Sequence, residues 1–256
     1  MDDPRTDHEL AADLAVATGE VLLAVRIREF SRGADSAEVK KIGDFEANRF
    51  LMDALRTARP TDPILSEEEK DTPAAVTATR LASRRAWIVD PVDGTREFSE
   101  VGRDDWAVHV AVCHDGSPVA GAVALPAQDL LFSTGNPSTV PEHEGPIRFI
   151  VSRTRPQPIA VAVKDAFGGT LVEMGSAGAK AMAIVRGHAD VYLHAGGQYE
   201  WDSCAPVAVA RAAGLWCSRL DGSPLAYNNA DPMISDLLIC RAELAEEVLA
   251  AANSTS

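Results

Sequence analysis

The sequence predicts a mixed fold, an α+β N-terminal lobe followed by an α/β C-terminal lobe, and three observations carry that reading. Apolar residues recur at helical spacing through the first 60 residues. Strand-like apolar runs then succeed one another with only turn residues between the last three, as in an antiparallel meander. Beyond residue 146 strand and helix patterns alternate, which is the rhythm of an α/β layer.

Leu10, Leu14, Ala17, Val21 and Val25 mark one face of a long first helix that should end near Gly33. A second helix is expected to start at Asp44 and run through Phe50, Leu51, Ala54 and Leu55 to a break at Pro60. Strands are expected at 86–90, 106–112, 119–125 and 130–134. The stretch GNPSTVPEHEGP, residues 135–146, has the composition of a linker. After it come a strand at 148–152, a helix at 157–167, a strand at 170–174, a helix at 176–187, a strand at 190–194 and a helix at 202–213. The final NSTS should fray. The lobes are therefore drawn as residues 1–140 and 141–256.

The 256 residues are enough for one large unit or two lobes. With 46% apolar and 24% charged residues the composition is that of a soluble globular protein, and no apolar run approaches the roughly 18–20 residues of a membrane span. The acidic opening MDDPRTDHEL is unlike a secretory signal, so a cytoplasmic protein is expected. Cys113, Cys204, Cys217 and Cys240 are far apart and form no C-x-x-C pair, which fits reduced, packed thiols, and the six histidines lack zinc spacing. A net charge of −14 opposes nucleic-acid polymers and anionic membranes as partners. A small anionic substrate would need local positive charge from arginines or metal ions.

The run WIVDPVDGTREF, residues 87–98, ends a buried strand in two carboxylates. Pro91 should stop the ladder after Asp90, with Asp93 and Gly94 in a turn and Thr95 capping the segment after it. Two bare carboxylates so close would not both stay ionised, and a divalent cation resolves the conflict. Both aspartates capping a turn is the plainer alternative. Neither a calcium loop of the EF-hand kind nor a D-x-D-G-T aspartyl phosphatase fits the spacing. Further acids stand in ILSEEEKD (64–71), where a solvated face competes with function, and in YEWDSCAP (199–206), where Asp202 suits a helix N-cap or first turn.

Glu67-Glu68, then Asp90-Pro91-Val92-Asp93-Gly94-Thr95, then Trp201-Asp202, in this order, resemble the inositol monophosphatase superfamily of magnesium-dependent, lithium-sensitive phosphatases. DGTREF, EWD, GRDDWAVH, GSAGAKAMA and YLHAGGQYEWDS are similar to its CysQ-type 3′(2′),5′-bisphosphate nucleotidases in particular. The resemblance implies a layered α-β-α-β-α sugar-phosphatase fold with the active site between the lobes. It implies Mg²⁺, two ions per site with an optional third, held by Glu67, Asp90 and the Val92 carbonyl on one side and by Asp90, Asp93 and Asp202 on the other. Thr95, near Glu67, would orient water while also capping its helix, and the Gly94 and Thr95 amides would hold a phosphate oxygen. Asp44 is open between helix cap and ligand of a third ion, and Glu68 between supporting group and surface charge.

For the leaving group, Ser152 and Arg153 in SRTR, with Glu200, are the candidates: Arg153 for a second phosphate or adenine, Glu200 for a ribose hydroxyl. Arg153 or Arg155 capping a strand end is the plainer view. Lys180 would face the nucleotide phosphate or else be a solvated helix lysine. The resemblance implies removal of the 3′-phosphate of adenosine 3′,5′-bisphosphate (PAP), with inositol phosphate or fructose 1,6-bisphosphate as the rival substrates and a metal-retaining binding module as the rival class. Members are often homodimers.

Overall fold

The computed structural model describes residues 3–69 and 73–254. Helix α1 (Asp7–Ser31) starts at Thr6, whose hydroxyl accepts from the Glu9 amide while the Glu9 carboxylate accepts from the Thr6 amide at 2.8 Å. Helix α2 (Ser36–Ala58) begins well before the expected Asp44, because Asp35 caps it by accepting from Glu38 N at 2.9 Å. Val39, Gly43, Ala47, Leu51 and Leu55 form its buried stripe, and the charged residues between the first of these mask the period. Asp44 is therefore a mid-helix residue, not a cap.

Five strands make the first sheet: β1 (Ile64–Ser66), β2 (Arg85–Asp93), β3 (Ala107–His114), β4 (Ser117–Leu125) and β5 (Leu130–Ser133), paired in that order. β1 runs parallel to β2 and the other pairs are antiparallel, so the expected meander is present. Helix α3 (Ala74–Ala82) precedes β2, and the short α4 (Thr95–Ser99) comes directly after it. The linker stretch is irregular apart from one bridge between Ser133 and Asn136.

Beyond the linker come β6 (Arg148–Ser152), α5 (Pro158–Ala166), β7 (Thr170–Met174), α6 (Ala177–Val185), β8 (Val191–His194), β9 (Gln198–Tyr199) and α7 (Glu200–Ala212). The chain closes with β10 (Trp216–Ser218), β11 (Met233–Ile234), β12 (Leu237–Cys240) and α8 (Ala245–Ser254). The second sheet has the order β10-β12-β8-β6-β7, and β9 pairs with β11. Asn253 and Ser254 complete α8 rather than fraying, and residues 255–256 lie outside the described residues.

Strand alternation sorts the core into layers. Trp87 and Val89 of β2, with Val108, Val110 and Val112 of β3, pack under α1 and α2. Ala86 and Ile88, on the opposite face, join α6 and α7, which also cover Ile150, Tyr192 and Ile239 of the second sheet. The far face of that sheet, including Val151, Val191 and Leu238, packs on α5 and α8. The result is the α-β-α-β-α order, with α6 and α7 as the middle layer.

Phe98 ties α4 to this framework: it is fully buried, meets Trp106 edge-on with centroids 5.2 Å apart, and lies so close to Gly43 that a Cβ there would sit 2.3 Å from the ring. Phe98→Ala should cost about 3–5 kcal/mol in urea unfolding, and a loss near zero would show that α4 is held by other contacts.

Candidate active site

In the β2–β3 ladder Asp90 lies opposite His109, but Asp93 lies opposite Ala107. Three steps on one strand match two on the other, which defines a β-bulge. In a regular strand, aspartates three apart would point to opposite faces. The extra residue returns Asp93 to the face of Asp90 and sends Val92 into the core under α1 and α2. Pro91 lies inside this irregular stretch, so it does not end the strand as its missing N–H suggests. Gly94 comes next with φ of 80°, and a Cβ there would meet the Ser176 side chain at 2.9 Å.

The third carboxylate arrives on α7, which crosses β2, β3 and β4. Close approach is allowed by Gly121, where a Cβ would lie 3.0 Å from that of Ala208. Because α7 starts at Glu200, Asp202 is a first-turn acid rather than an N-cap, and its Oδ2 accepts from Tyr199 N at 2.6 Å. Among the described residues, Asp90, Asp93 and Asp202 form a group in which one oxygen from each lies within 4.8 Å of the other two.

These carboxylates are in unequal settings. Burial would raise Asp93, but His109, the Ser176 hydroxyl and the Gly178 amide hold it well below the usual carboxylate range. Its Oδ2 accepts from Ser176, from Gly178 N at 2.6 Å, and lies 3.2 Å from His109 Nε2. Burial, then the charges of Glu67, Asp93 and Asp202, push Asp90 far up. Burial and Asp93 raise Asp202 to about 7, and burial and Glu68 do the same to Asp44. Asp90 Oδ1 accepts from Val92 N at 3.0 Å, whereas its Oδ2, like Asp44 Oδ1, is buried without a partner among the described residues. Orphaned hard oxygens facing mutual repulsion fit a divalent cation.

The group opens into a cleft of about 560 Å³. One wall carries Glu67, on a single 3₁₀ turn after β1, with Gly94 and Thr95; the other carries Ser152, Arg155, Ser176, Lys180, Tyr192 and His194. The end of the glutamate stretch, Lys70 and Asp71, lies outside the described residues. Lys180 is buried rather than solvated, its Nζ donating to Ser176 O at 2.9 Å and to Gly175 O, 5.3 Å from the centre of the Tyr192 ring.

Two residues assigned to the leaving group are elsewhere. Arg153 is held by Glu97 and Glu100 at 2.8 and 2.9 Å, and its neighbour Arg155 lines the cleft instead. Glu200 is fully buried away from the cleft, accepting from Asn228 N, Asn229 N and Asn229 Nδ2 at 2.7–2.8 Å. The helix starts two residues earlier than its pattern suggests, which turns Glu200 to that side. The sequence pattern alone does not single out His109, whose Nδ1–H donates to Trp201 O at 2.9 Å while its Nε2 faces Asp93, so that it joins Asp93 to the residue before Asp202. The signal was a lone histidine in the apolar strand WAVHVAV.

The Inositol monophosphatase family model matches residues 3–255. A 3′-phosphoadenosine 5′-phosphate phosphatase of Mycobacterium bovis is 48% identical over 246 residues, covering 91% of this chain and 88% of that protein. A 3′(2′),5′-bisphosphate nucleotidase CysQ of Escherichia coli is 29% identical over 239 residues, or 89% and 94% of the two chains. The crystal structure of CysQ from Bacteroides thetaiotaomicron, a bacterial member of the inositol monophosphatase family, superposes with a TM-score of 0.78 at 24% identity, over 91% of this chain and 96% of that one, which is likeness of fold.

At Gly178 a Cβ would lie 2.0 Å from His109 Nε2. Gly178→Ala should therefore displace His109 and Asp93 and weaken divalent-cation binding about tenfold or more; unchanged binding by calorimetry would contradict this. Asp202 keeps its proton to about pH 7 when folded, against 3.8 for the ordinary group, so between these values the folded chain binds more protons and its stability falls as pH rises. A cation that compensates the charge removes this loss. The Mg²⁺-induced rise in Tm should thus grow from about pH 5.5 to about pH 8 in thermal scans, and a pH-independent rise would contradict the compensation.

Proposed function

The chain belongs to the inositol monophosphatase family, and from that premise we propose that it is a Mg²⁺-dependent phosphomonoesterase that hydrolyses the 3′-phosphate of PAP to give AMP and phosphate. The observation that carries the chemistry is the convergence of Asp90, Asp93 and Asp202 at the floor of a cleft whose facing wall presents Lys180 and Arg155. The substrate rests on the 48%-identical relative named for 3′-phosphoadenosine 5′-phosphate.

Glu67, Asp90 and the Val92 carbonyl would hold one Mg²⁺, and Asp90, Asp93 and Asp202 a second, with Asp44 beside a third. Bound Mg²⁺ supplies charge neutralisation at the phosphate and a lowered pKa for its water. His109 and Ser176 hold Asp93 ionised and oriented, as the hydrogen bonds around its Oδ2 require. Thr95, beside Glu67 on the cleft wall, positions the attacking water, and the Gly94 and Thr95 amides receive a phosphate oxygen.

A protonated lysine has three donors. Lys180 spends two on Gly175 O and Ser176 O, leaving one for a phosphate oxygen in the cleft. On the nucleoside side, Arg155 takes the 5′-phosphate. His194, whose Nδ1 is buried without a partner among the described residues, and Gln157 offer polar contacts beside it.

The test is phosphate release from PAP, inositol 1-phosphate and fructose 1,6-bisphosphate with Mg²⁺. PAP should have the highest kcat/KM, and Asp93→Asn should abolish turnover of all three. Arg155→Ala should lose about ten- to hundredfold on PAP, the worth of a charge-assisted hydrogen bond, and little on inositol 1-phosphate. Equal losses on both esters would remove Arg155 from the substrate site, and better turnover of the sugar esters would overturn the PAP assignment.

A further inference from the structure

The first turn of α7, from which Asp202 projects, is tied into a buried polar strap outside the cleft. The strap joins three segments distant in sequence: the end of α3, the loop before β11, and the first turn of α7. Arg80 of α3 donates to Asn228 Oδ1 at 2.6 Å and to Asn229 O at 3.0 Å, and its own carbonyl accepts from Asn228 Nδ2 at 3.2 Å. Glu200 closes the strap by accepting three N–H bonds from the same two asparagines. Asn228 is held in the left-handed region at φ of 65°, so this turn depends on its hydrogen bonds. The Glu200 amide donates to Pro232 O at 2.8 Å, and β9 pairs with β11, so the loop grips α7 on two sides.

Glu200 is fully buried and Arg80 only 5% exposed. Ions so enclosed are costly unless every polar atom is matched, and losing one partner leaves an uncompensated group. Here the matched pair spans α3, which leads directly into the strand of Asp90 and Asp93, and α7, which carries Asp202. Glu200 stands two residues before Asp202, so its fixation sets the rotation of the turn from which that carboxylate projects. Apart from this, the Asp202 side chain is steadied by the Tyr199 amide, itself part of the gripped segment.

We infer that Glu200 and Arg80 are positioning residues for the cation site, fixing Asp202 against Asp90 and Asp93 without touching substrate; this rests on the reading of those carboxylates as cation ligands. The expected signature of Glu200→Gln is a Mg²⁺ half-saturation raised about tenfold, the usual cost of removing a supporting partner. The Mg²⁺-induced Tm shift should shrink in parallel, while KM for PAP at saturating Mg²⁺ stays within about twofold.

Asn228→Gly tolerates the left-handed backbone but deletes the two bonds between the Asn228 side chain and Arg80, leaving the one to Asn229 O, and it should move both Mg²⁺ readouts the same way by a smaller factor; it carries the test if Glu200→Gln does not fold. A raised KM with an unchanged Mg²⁺ response would make Glu200 a substrate contact and overturn the inference. A lowered Tm with an unchanged Mg²⁺ half-saturation would reduce the strap to plain structure and also overturn it. Absence of any Mg²⁺-induced shift in the unmutated protein would instead overturn the cation reading, and this inference with it.

Discussion

Repulsion among three converging carboxylates, two of them buried and one half-buried, is what the rest of the molecule must accommodate. Asp90, Asp93 and Asp202 each present an oxygen within 4.8 Å of the others, and little water reaches the first two. Left alone, such groups keep protons, and Asp90 and Asp202 are pushed upward by burial first and by the neighbouring carboxylate charges second. Asp93 is the exception, since Ser176, Gly178 and His109 stabilise its charge. The protein thus favours the charge of one carboxylate and disfavours that of the other two. That asymmetry suits a site that takes up a cation rather than one that merely caps a turn.

The layered fold brings the three together with few degrees of freedom. The bulge in β2 turns two aspartates toward the middle layer, and both helices of that layer begin at the cleft. Helix starts carry partial positive charge, so α6 and α7 aim favourable dipoles at carboxylates and at an anionic substrate alike. The absence of side chains at three glycines makes the approach possible. A Cβ at Gly175 would lie 2.3 Å from Glu97, one at Gly178 would meet His109, and one at Gly121 would crowd Ala208 of α7 at 3.0 Å. Asp105 adds to this by accepting from Gly175 N at 2.6 Å, fixing the turn from which α6 starts.

Much of this was legible in the sequence. The meander and the alternation after the linker came from local pattern, because each is encoded by neighbouring residues, whereas the grouping of Asp202 with Asp90 and Asp93 came from the resemblance to a family, the local residues leaving turn and helix caps open. The start of α2 did not come from local pattern, since Lys40 and Lys41 interrupt a stripe that only packing against α1 completes. Short elements such as β1 and β9 owe their existence to partner strands far along the chain. The same distinction separates the site residues. The aspartates sit in a recognisable string, whereas the partners of Arg153, Glu200 and His109 lie tens of residues away, and a string says nothing about which of two nearby arginines turns into the cleft.

Everything proposed for the cleft requires that the converging carboxylates hold a divalent cation. Diffraction from crystals soaked in Mn²⁺, with anomalous maps at the manganese edge, addresses that requirement without relying on substrate or turnover. The expected result is a peak bounded by Asp90, Asp93 and Asp202, with carboxylate oxygens at about 2.0–2.6 Å as hard-cation coordination requires. A map with no peak there, and carboxylates spaced as they are without the ion, would contradict it.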